Sequence, residues 1–207
     1  MPALRQCDLS VIVPVYNLEN FLAPLLDSLE RQKTEYTVEY IFVLNNCTDR
    51  SEDVIRSSKL DARIINCDIQ GCGPARNAGL NIATGEYIWF MDGDDWLTSD
   101  TAIQDVLYLA KTEDLDILRI PFESDYFMYE YFSMVWQYLL RREFVDGIRF
   151  PNYQPAEDDA YMYNVLALAG YSRQSYLQLP CINKSLYFYN YMREGSNMQR
   201  YINGERI

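Results

Sequence analysis

Residues 87–95 of this 207-residue chain have the sequence YIWFMDGDD, in which five large apolar residues run directly into three carboxylates. A continuous apolar run of this length predicts a strand buried on both faces, as in a parallel sheet. Ligands of open α/β sheets bind outside the carboxyl ends of the strands, so Asp92, Asp94 and Asp95 lie where a ligand is expected. Hard oxygen ligands suit Mg²⁺ or Mn²⁺ with substrate phosphates completing the shell. The alternative is a solvated acidic turn in which Asp95 caps a following helix.

Short strands and helices alternate along the chain on both sides of this stretch. The predicted strands are 10–17, 39–44, 63–66, 87–91, 116–120 and 186–189, and the predicted helices are 21–29, 50–58, 75–83, 101–111 and 157–169. This alternation is the βαβ pattern of an α/β protein with a single doubly wound, mostly parallel sheet and flanking helices. We find no linker, so residues 1–207 are predicted to form one domain, with residues 8–120 and 121–207 as its two halves.

The composition excludes several classes of function. The formal net charge is −12, which argues against nucleic acid as a partner. The chain has no histidine, which excludes Ser-His-Asp and Cys-His catalysis and zinc sites that contain histidine. Any proton transfer must therefore use Asp, Glu, Lys, Tyr or Cys.

The five cysteines indicate a reducing compartment, because their number is odd and they form no CxxC pair. The first residues have no signal-peptide pattern, and no apolar segment approaches the length of a membrane span. We expect a cytoplasmic protein. Peripheral contact with the inner face of the membrane and a homodimer both stay open.

Polar residues follow three of the predicted strands and should converge on one cleft. They are Pro14, Tyr16 and Asn17, then Asn45 and Asn46, then Asp92, Asp94 and Asp95. Asn and Tyr side chains suit a base and ribose, and the acids suit a metal–diphosphate. Arg76 lies near the start of a helix, where its charge could meet a phosphate or a base carbonyl. The alternative for Arg76 is a surface ion pair.

Two regions of the second half carry expectations of their own. Residues 126–138 are rich in aromatic side chains and are predicted to include a helix that ends near Arg142. These aromatic residues either line an acceptor cleft or pack in the core or a subunit interface, and burial favours the second reading. Farther on, Glu157, Asp158 and Asp159 begin a helix, where acids interact favourably with the helix dipole.

These features together resemble the family 2 glycosyltransferases, which have the GT-A fold. The matching segments are 13–17 (VPVYN), 39–43 (EYIFV), 48–51 (TDRS), 75–79 (ARNAG), 85–88 (GEYI), 92–97 (DGDDWL) and 157–158 (ED). Each motif alone is weak, but their order and spacing are specific. The resemblance covers roughly residues 8–200.

The resemblance implies an inverting, metal-dependent transfer of a sugar from a nucleotide-diphosphate sugar to an acceptor hydroxyl, with a UDP-sugar favoured. The acceptor would be a saccharide or a lipid-linked molecule in polysaccharide or glycoconjugate synthesis. Residues 8–120 would bind the nucleotide sugar, and residues 121–207 would form the acceptor side with a small extension.

The resemblance also assigns roles to individual residues. Asp94 would be the direct ligand of Mn²⁺ or Mg²⁺, with Asp92 as the other acid of the DxD motif, and Asp158 would be the catalytic base. The donor-binding positions would be Pro14, Tyr16, Asn45, Arg76, Asp92 and Gly93. Arg193 loosely matches a basic residue over the diphosphate in some members.

Two departures from the family pattern are visible. Leu44-Asn45 stands where the family commonly has an Asp pair, so the base that Asn45 selects is open, although an amide can pair with a base edge. The stretch between the acidic motif and Glu157 is shorter than expected, so the acceptor-side loop is reduced or residues are absent from the sequence.

Other functions are compatible with parts of the sequence. One is a catalytically inactive module that binds nucleotide sugars on the same fold, since fold does not imply activity. Another is a phosphatase with an aspartyl-phosphate intermediate, but its motif needs Thr or Val where Trp96 stands and is normally on the first strand. The sequence does not identify the sugar or the acceptor.

Overall fold

The computed structural model describes residues 7–125, 134–152, 156–190 and 193. The strands are β1 Leu9–Val15, β2 Val38–Leu44, β3 Ala62–Asn66, β4 Tyr87–Phe90, β5 Trp96–Leu97, β6 Ile117–Arg119, β7 Phe122–Ser124, β8 Tyr138–Arg141 and β9 Tyr187–Tyr189. The helices are α1 Leu22–Glu30, α2 Ser51–Arg56, α3 Cys72–Leu80, α4 Ala102–Thr112 and α5 Glu157–Leu168, with single 3₁₀ turns at Val135–Gln137 and Tyr176–Gln178.

The central sheet has six strands in the order β3-β2-β1-β4-β8-β6. The first four are parallel, while β8 is antiparallel to both of its neighbours. In register, Val15 of β1 lies opposite Leu44 of β2. The predicted mostly parallel α/β sheet is therefore confirmed, and the carboxyl ends of β1, β2 and β4 lie at one edge.

Helices cover both faces of this sheet, as the doubly wound prediction requires. Alternate residues of each buried strand enter two cores, so that Val11 and Trp89 face one core while Ile12 and Phe90 face the other. Helices α1, α2 and α4 pack on the first face, and α3 and α5 pack on the second.

A second sheet, with the order β5-β9-β7, was not predicted, so the expectation of a single sheet is wrong. Its strands have only two or three residues each, too few for an alternation of polar and apolar residues to be recognised. The predicted late strand is confirmed as β9, which becomes the centre of this sheet. Strand β9 follows the acidic stretch by about 90 positions and returns to lie beside it.

The predicted helix ending near Arg142 is also wrong within the part of the chain that the structure describes. A 3₁₀ turn is followed there by strand β8. Tyr138, Leu139 and Leu140 are all buried because β8 lies inside the sheet, so neither helical nor strand periodicity is visible. Trp136 and Tyr138 are core residues, as burial favoured, while residues 126–133 lie outside the described residues.

Pro14 is the last residue but one of β1. Strand β1 pairs with β4 only from Leu9 to Ile12. Position 14 lies beyond this pairing, so a residue without an N–H donor is tolerated there. Among the described residues, no helix is both long and apolar enough to cross a membrane.

Candidate active site

The candidate site lies where β1, β2 and β4 end. Asn17 and Asn46 turn the chain after β1 and β2 with positive φ angles of 51° and 56°. Asparagine tolerates this left-handed conformation better than most residues. The side chain of Asn17 then accepts a hydrogen bond from the N–H of Thr48 at 2.8 Å, which joins the two turns. These turns leave Tyr16 and Asn45 beside each other at the edge of the sheet.

Gly93 lets the acidic loop, residues 92–95, pack closely on Leu18, just before α1, and on Leu22. A Cβ at this position would lie 2.6 Å from Cδ1 of Leu18, well inside contact distance. The Asp92 and Asp94 side chains on either side of Gly93, respectively 29% and 16% exposed, reach different partners.

Arg76 joins the acidic loop to helix α5. Its side chain is only 3% exposed, and its Nη2 lies 2.8 Å from Asp92 while its Nη1 lies 2.5 Å from Asp158. Glu157 is farther away, at 3.6 Å. The surface ion pair considered from the sequence is therefore wrong, because Arg76 is buried between acids of two distant segments.

Burial raises the pKa of the Asp158 carboxyl, Arg76 lowers it, and the nearby Glu157 and Asp92 raise it again, to a net value of about 7. The opposite effects act on Arg76, where burial lowers the pKa and the charges of Asp158 and Asp92 raise it above its usual range. Asp158 is thus a carboxylate that can exchange a proton near neutral pH while Arg76 stays charged.

A second arginine contacts the other acid of the motif. Arg193 Nε donates to Asp94 Oδ2, and the Arg193 guanidinium lies over the Phe21 ring, 4.8 Å from its centroid. Burial raises the pKa of Asp94, and Arg193 only partly offsets this. The structure thus brings Arg193 to the acidic loop, although the sequence match for this residue was loose.

Asp95 is fully buried and does not cap a helix. Its carboxylate accepts hydrogen bonds from Tyr187 Oη at 2.7 Å and from the Asn190 N–H at 2.9 Å. Sequence reasoning did not identify Tyr187 or Asn190. Their only signal was a late strand, and the pairing of β9 beside the acidic loop depends on tertiary structure.

The side chain of Asn45 is committed to the backbone of residues 67–71. Its Nδ2 donates to the carbonyls of Cys67 at 3.0 Å and Ile69 at 2.7 Å, and its Oδ1 accepts from the Gly71 N–H at 2.8 Å. Both donors that could have read a base edge are used. Asn45 therefore shapes the loop that leads into α3, and one acceptor position on Oδ1 remains.

Tyr16 and Pro14 differ in their exposure. The Tyr16 side chain is 52% exposed, so its ring is available to a ligand, whereas Pro14 is buried inside the strand. Ile69, at 59% exposed, lies in the loop that Asn45 holds. A ligand at this end of the site would meet an aromatic face beside backbone polar groups.

The donor set fits a divalent cation only with help from a ligand. Asp92 and Asp94 offer hard carboxylate oxygens. No group of three or more acidic or thiol side chains is placed to hold a metal ion within the described residues. A Mg²⁺ or Mn²⁺ ion here would take its remaining oxygens from a diphosphate and water.

Comparisons with known proteins agree with this architecture. The sequence model described as Glycosyl transferase family 2 matches residues 10–178. Glycosyltransferase GlyA of Streptococcus pneumoniae is 41% identical over 95 residues, which are 44% of this chain and 14% of GlyA. The poly(ribitol-phosphate) beta-N-acetylglucosaminyltransferase TarS of Staphylococcus aureus is 32% identical over 120 residues, 56% of this chain and 21% of TarS. The chain covers less than two thirds of the length of either relative.

Solved structures show the same fold. TarS residues 1–349 in complex with UDP-GlcNAc match with a TM-score of 0.78 and 22% identity, covering 93% of this chain and 60% of that one. The mannosyltransferase PcManGT from Pyrobaculum calidifontis, in complex with GDP-Man and Mn²⁺, matches with a TM-score of 0.67 and 17% identity, covering 94% and 60%. The fold is thus GT-A, and since the family match spans most of the described sequence, this chain belongs to glycosyltransferase family 2.

Proposed function

We propose that this protein transfers a sugar from a nucleotide-diphosphate sugar to an acceptor hydroxyl with inversion at the anomeric carbon. The observation that carries the proposal is Arg76, which contacts both Asp92 of the acidic motif and Asp158 of α5. The group proposed to face the leaving diphosphate and the group proposed to take the acceptor proton are thereby held by one buried arginine. Such a pair is what a single displacement needs, because the acceptor attacks as the diphosphate leaves.

We propose a UDP-sugar as the donor. TarS, a relative by sequence and by fold, has been solved with UDP-GlcNAc, which favours uridine, whereas PcManGT has been solved with GDP-Man. The exposed Tyr16 ring would stack on the base, and the loop that Asn45 holds would offer backbone groups to the base edge. Pro14 and Gly93 would shape the pocket. Arg76 would act from beneath the site by orienting the two acids.

We propose that Asp94, with Asp92, holds Mn²⁺ or Mg²⁺ against the diphosphate. When bound, such a cation neutralises charge that develops on the leaving diphosphate. Arg193 donates a hydrogen bond to Asp94, and in the proposed complex its guanidinium would donate to a phosphate oxygen of the donor instead. The chain's own contribution is to present two carboxylates from a loop that packs closely on Leu18 at Gly93.

Asp158 is proposed as the general base. Its pKa is raised to about 7, so it takes a proton more readily than an ordinary carboxylate. It would accept the hydroxyl proton while the acceptor oxygen bonds to the anomeric carbon and the bond to the diphosphate breaks. Arg76 keeps the Asp158 oxygen oriented and remains charged throughout.

We propose a saccharide or a lipid-linked molecule as the acceptor, in polysaccharide or glycoconjugate synthesis. TarS is named for transfer to poly(ribitol-phosphate), which gives one example of a polymeric acceptor for a relative. A cytoplasmic location, with contact at the inner face of the membrane, remains part of this proposal.

A second candidate is an inactive module that binds nucleotide sugars. The observation that favours it is that Asp92 and Asp94 are both paired with arginines, so a cation must compete for each acid. The Asp158 pKa favours the enzyme, because a binding module needs no proton acceptor near neutral pH.

The deciding experiment screens UDP-, GDP-, dTDP- and CMP-sugars with Mn²⁺, first for thermal stabilisation and then for release of the nucleotide. The enzyme is expected to be stabilised by one class and to release that nucleotide slowly, by hydrolysis. Asp94→Ala should abolish the release and keep the melting temperature of the unliganded protein. Stabilisation without any release in wild type, even with saccharide acceptors added, would support the binding module.

A further inference from the structure

Tyr187 connects the second sheet to the acidic loop. Its side chain is fully buried, and its hydroxyl lies 2.7 Å from Asp95 Oδ2 and 3.0 Å from the backbone nitrogen of Asp92. The chemistry of these groups fixes the direction of both bonds. The hydroxyl has one proton, which it donates to the carboxylate, and its oxygen accepts the N–H of Asp92.

Asn190, just after β9, supplies the second connection. Its backbone N–H donates to Asp95 Oδ1 at 2.9 Å, and its side-chain Nδ2 donates to the Asp94 carbonyl at 3.2 Å. Tyr187 and Asn190 together therefore bind the backbone at Asp92 and Asp94 and both carboxylate oxygens of Asp95. The acidic loop is thus held at all three of its aspartates, on the side away from the Asp92 and Asp94 carboxylates.

The Tyr187 ring is itself fixed by its neighbours. Trp136 stacks on it with the ring centroids 4.7 Å apart and the planes 8° from parallel. The backbone carbonyl of Trp136 in turn accepts a hydrogen bond from Trp89 Nε1 in β4 at 2.9 Å. Through Trp136, the Tyr187 ring is held against β4, the strand that leads into the acidic loop. These contacts restrict the position of the Tyr187 hydroxyl relative to Asp92.

We infer that Tyr187 and Asn190 are positioning residues that set the acidic loop for the metal and the donor diphosphate, and that Asp95 is their anchor and not a metal ligand. This inference rests on the proposed function of Asp92 and Asp94. It adds that the geometry of these acids depends on β9, a strand near the far end of the described chain. A buried carboxylate costs free energy unless hydrogen bonds compensate it, and Tyr187 and the Asn190 N–H supply those bonds to Asp95, which fits an anchor whose role is to fix the loop.

The test is calorimetric titration of UDP with and without Mn²⁺, or of GDP if the screen selects it. Tyr187→Phe keeps the ring and removes both hydrogen bonds. It should weaken Mn²⁺-dependent binding about tenfold, the usual scale for a buried donor and acceptor left unpaired, while metal-free affinity changes little. Asn190→Ala should act in the same direction by about two- to threefold, because only its bond to the Asp94 carbonyl is lost.

Tyr161→Phe is the matched control. Tyr161 is also fully buried, but its hydroxyl has no hydrogen-bond partner among the described residues, so removing it should leave Mn²⁺-dependent binding unchanged. Because Tyr187→Phe also leaves Asp95 with one donor fewer, its melting temperature should fall. That fall alone does not support the inference. If Tyr187→Phe does not fold, Asn190→Ala decides.

The outcomes separate the inference from the proposed function. If Asp94→Ala loses Mn²⁺-dependent binding while Tyr187→Phe, or Asn190→Ala in its place, binds as wild type, the positioning role is wrong and the metal site stands. If Asp94→Ala itself binds with the wild-type dependence on Mn²⁺, the proposed metal site is wrong and the positioning role fails with it.

Discussion

Two carboxylates at opposite ends of the central sheet have opposite environments. Glu39, near the start of β2, accepts hydrogen bonds from Ser10 Oγ at 2.6 Å and from the N–H and hydroxyl of Thr84 at 2.6 and 2.9 Å. Its other oxygen lies 3.1 Å from Arg63. Among the described residues, Asp158 at the start of α5 has Arg76 as its close side-chain partner, which it shares with Asp92, and it accepts a backbone hydrogen bond from Val135.

The difference appears in the pKa values. Burial acts to raise the pKa of Glu39, but the hydrogen bonds from Ser10 and Thr84 and the contact with Arg63 exceed that effect, and the net pKa is lowered. For Asp158 burial prevails over Arg76, helped by Glu157 and Asp92, and the net pKa rises to about 7. A carboxylate that accepts several hydrogen bonds of its own stays ionised, whereas a carboxylate that shares its arginine with another acid is able to take a proton.

Neutralising each carboxylate should therefore give contrasting variants. Asp158→Asn is expected to lower kcat by ~10²–10⁴ with little change in donor affinity, because the proton acceptor is lost while the donor site is intact. Glu39→Gln should instead lower the free energy of unfolding by ~1–3 kcal/mol and leave kcat nearly unchanged, since the amide keeps one acceptor oxygen but loses the negative charge and the second acceptor, which Arg63 contacts. Steady-state kinetics of both variants measures kcat, and urea unfolding of both variants measures the free energy of unfolding.

The contrast fails if Asp158→Asn loses donor binding and keeps its turnover. Asp158 would then belong to the donor site. It also fails if Glu39→Gln loses activity at full stability, because the amino end of the sheet would then take part in the reaction.

The sequence predicts one end of the sheet better than the other. The apolar run before Asp92 and the acids at 157–159 locate the site, because charge next to a buried strand or at a helix start is a local signal. Glu39 received no role, since its partners Ser10 and Thr84 are 29 and 45 positions away. Tyr187 and strand β8 were missed for the same reason. Their neighbours are set by the chain's return to the sheet, which periodicity does not report.

Replacing Arg76 by Lys should widen the difference between the pKa values of Asp158 and Glu39. A lysine keeps the charge but cannot present two nitrogens to Asp92 and Asp158 in the fixed plane of a guanidinium. We expect kcat to fall by ~10–10², and the pH at which kcat/KM reaches half its plateau to rise, because the ionised form of Asp158 loses part of its stabilisation. Arg56→Lys is the control, since Arg56 forms an exposed pair with Glu52 in one helix. A fall in kcat without any displacement of the pH profile would mean that Arg76 acts only through Asp92.

The smallest expected effect is on stability against pH, where the two carboxylates should have opposite signs. The folded-state pKa of Asp158 is raised, so the folded protein binds more protons than the unfolded chain between about pH 4 and 7. Its contribution to the free energy of unfolding is therefore full at low pH and is lost as the pH rises to about 7. The pKa of Glu39 is lowered, so its contribution is full above the ordinary pKa of a glutamate and is lost as the pH falls below it.

Urea unfolding of wild type, Asp158→Asn and Glu39→Gln from pH 3.5 to 8 measures both contributions. The free energy of unfolding of wild type minus that of Asp158→Asn should fall as the pH rises from about 4 to 7. The free energy of unfolding of wild type minus that of Glu39→Gln should fall as the pH drops below the ordinary pKa of a glutamate. If both stability differences instead changed with pH in the same direction, the pKa of Asp158 would be lowered by its hydrogen-bond donors as that of Glu39 is. The assignment of Asp158 as the proton acceptor would then lose its physical basis.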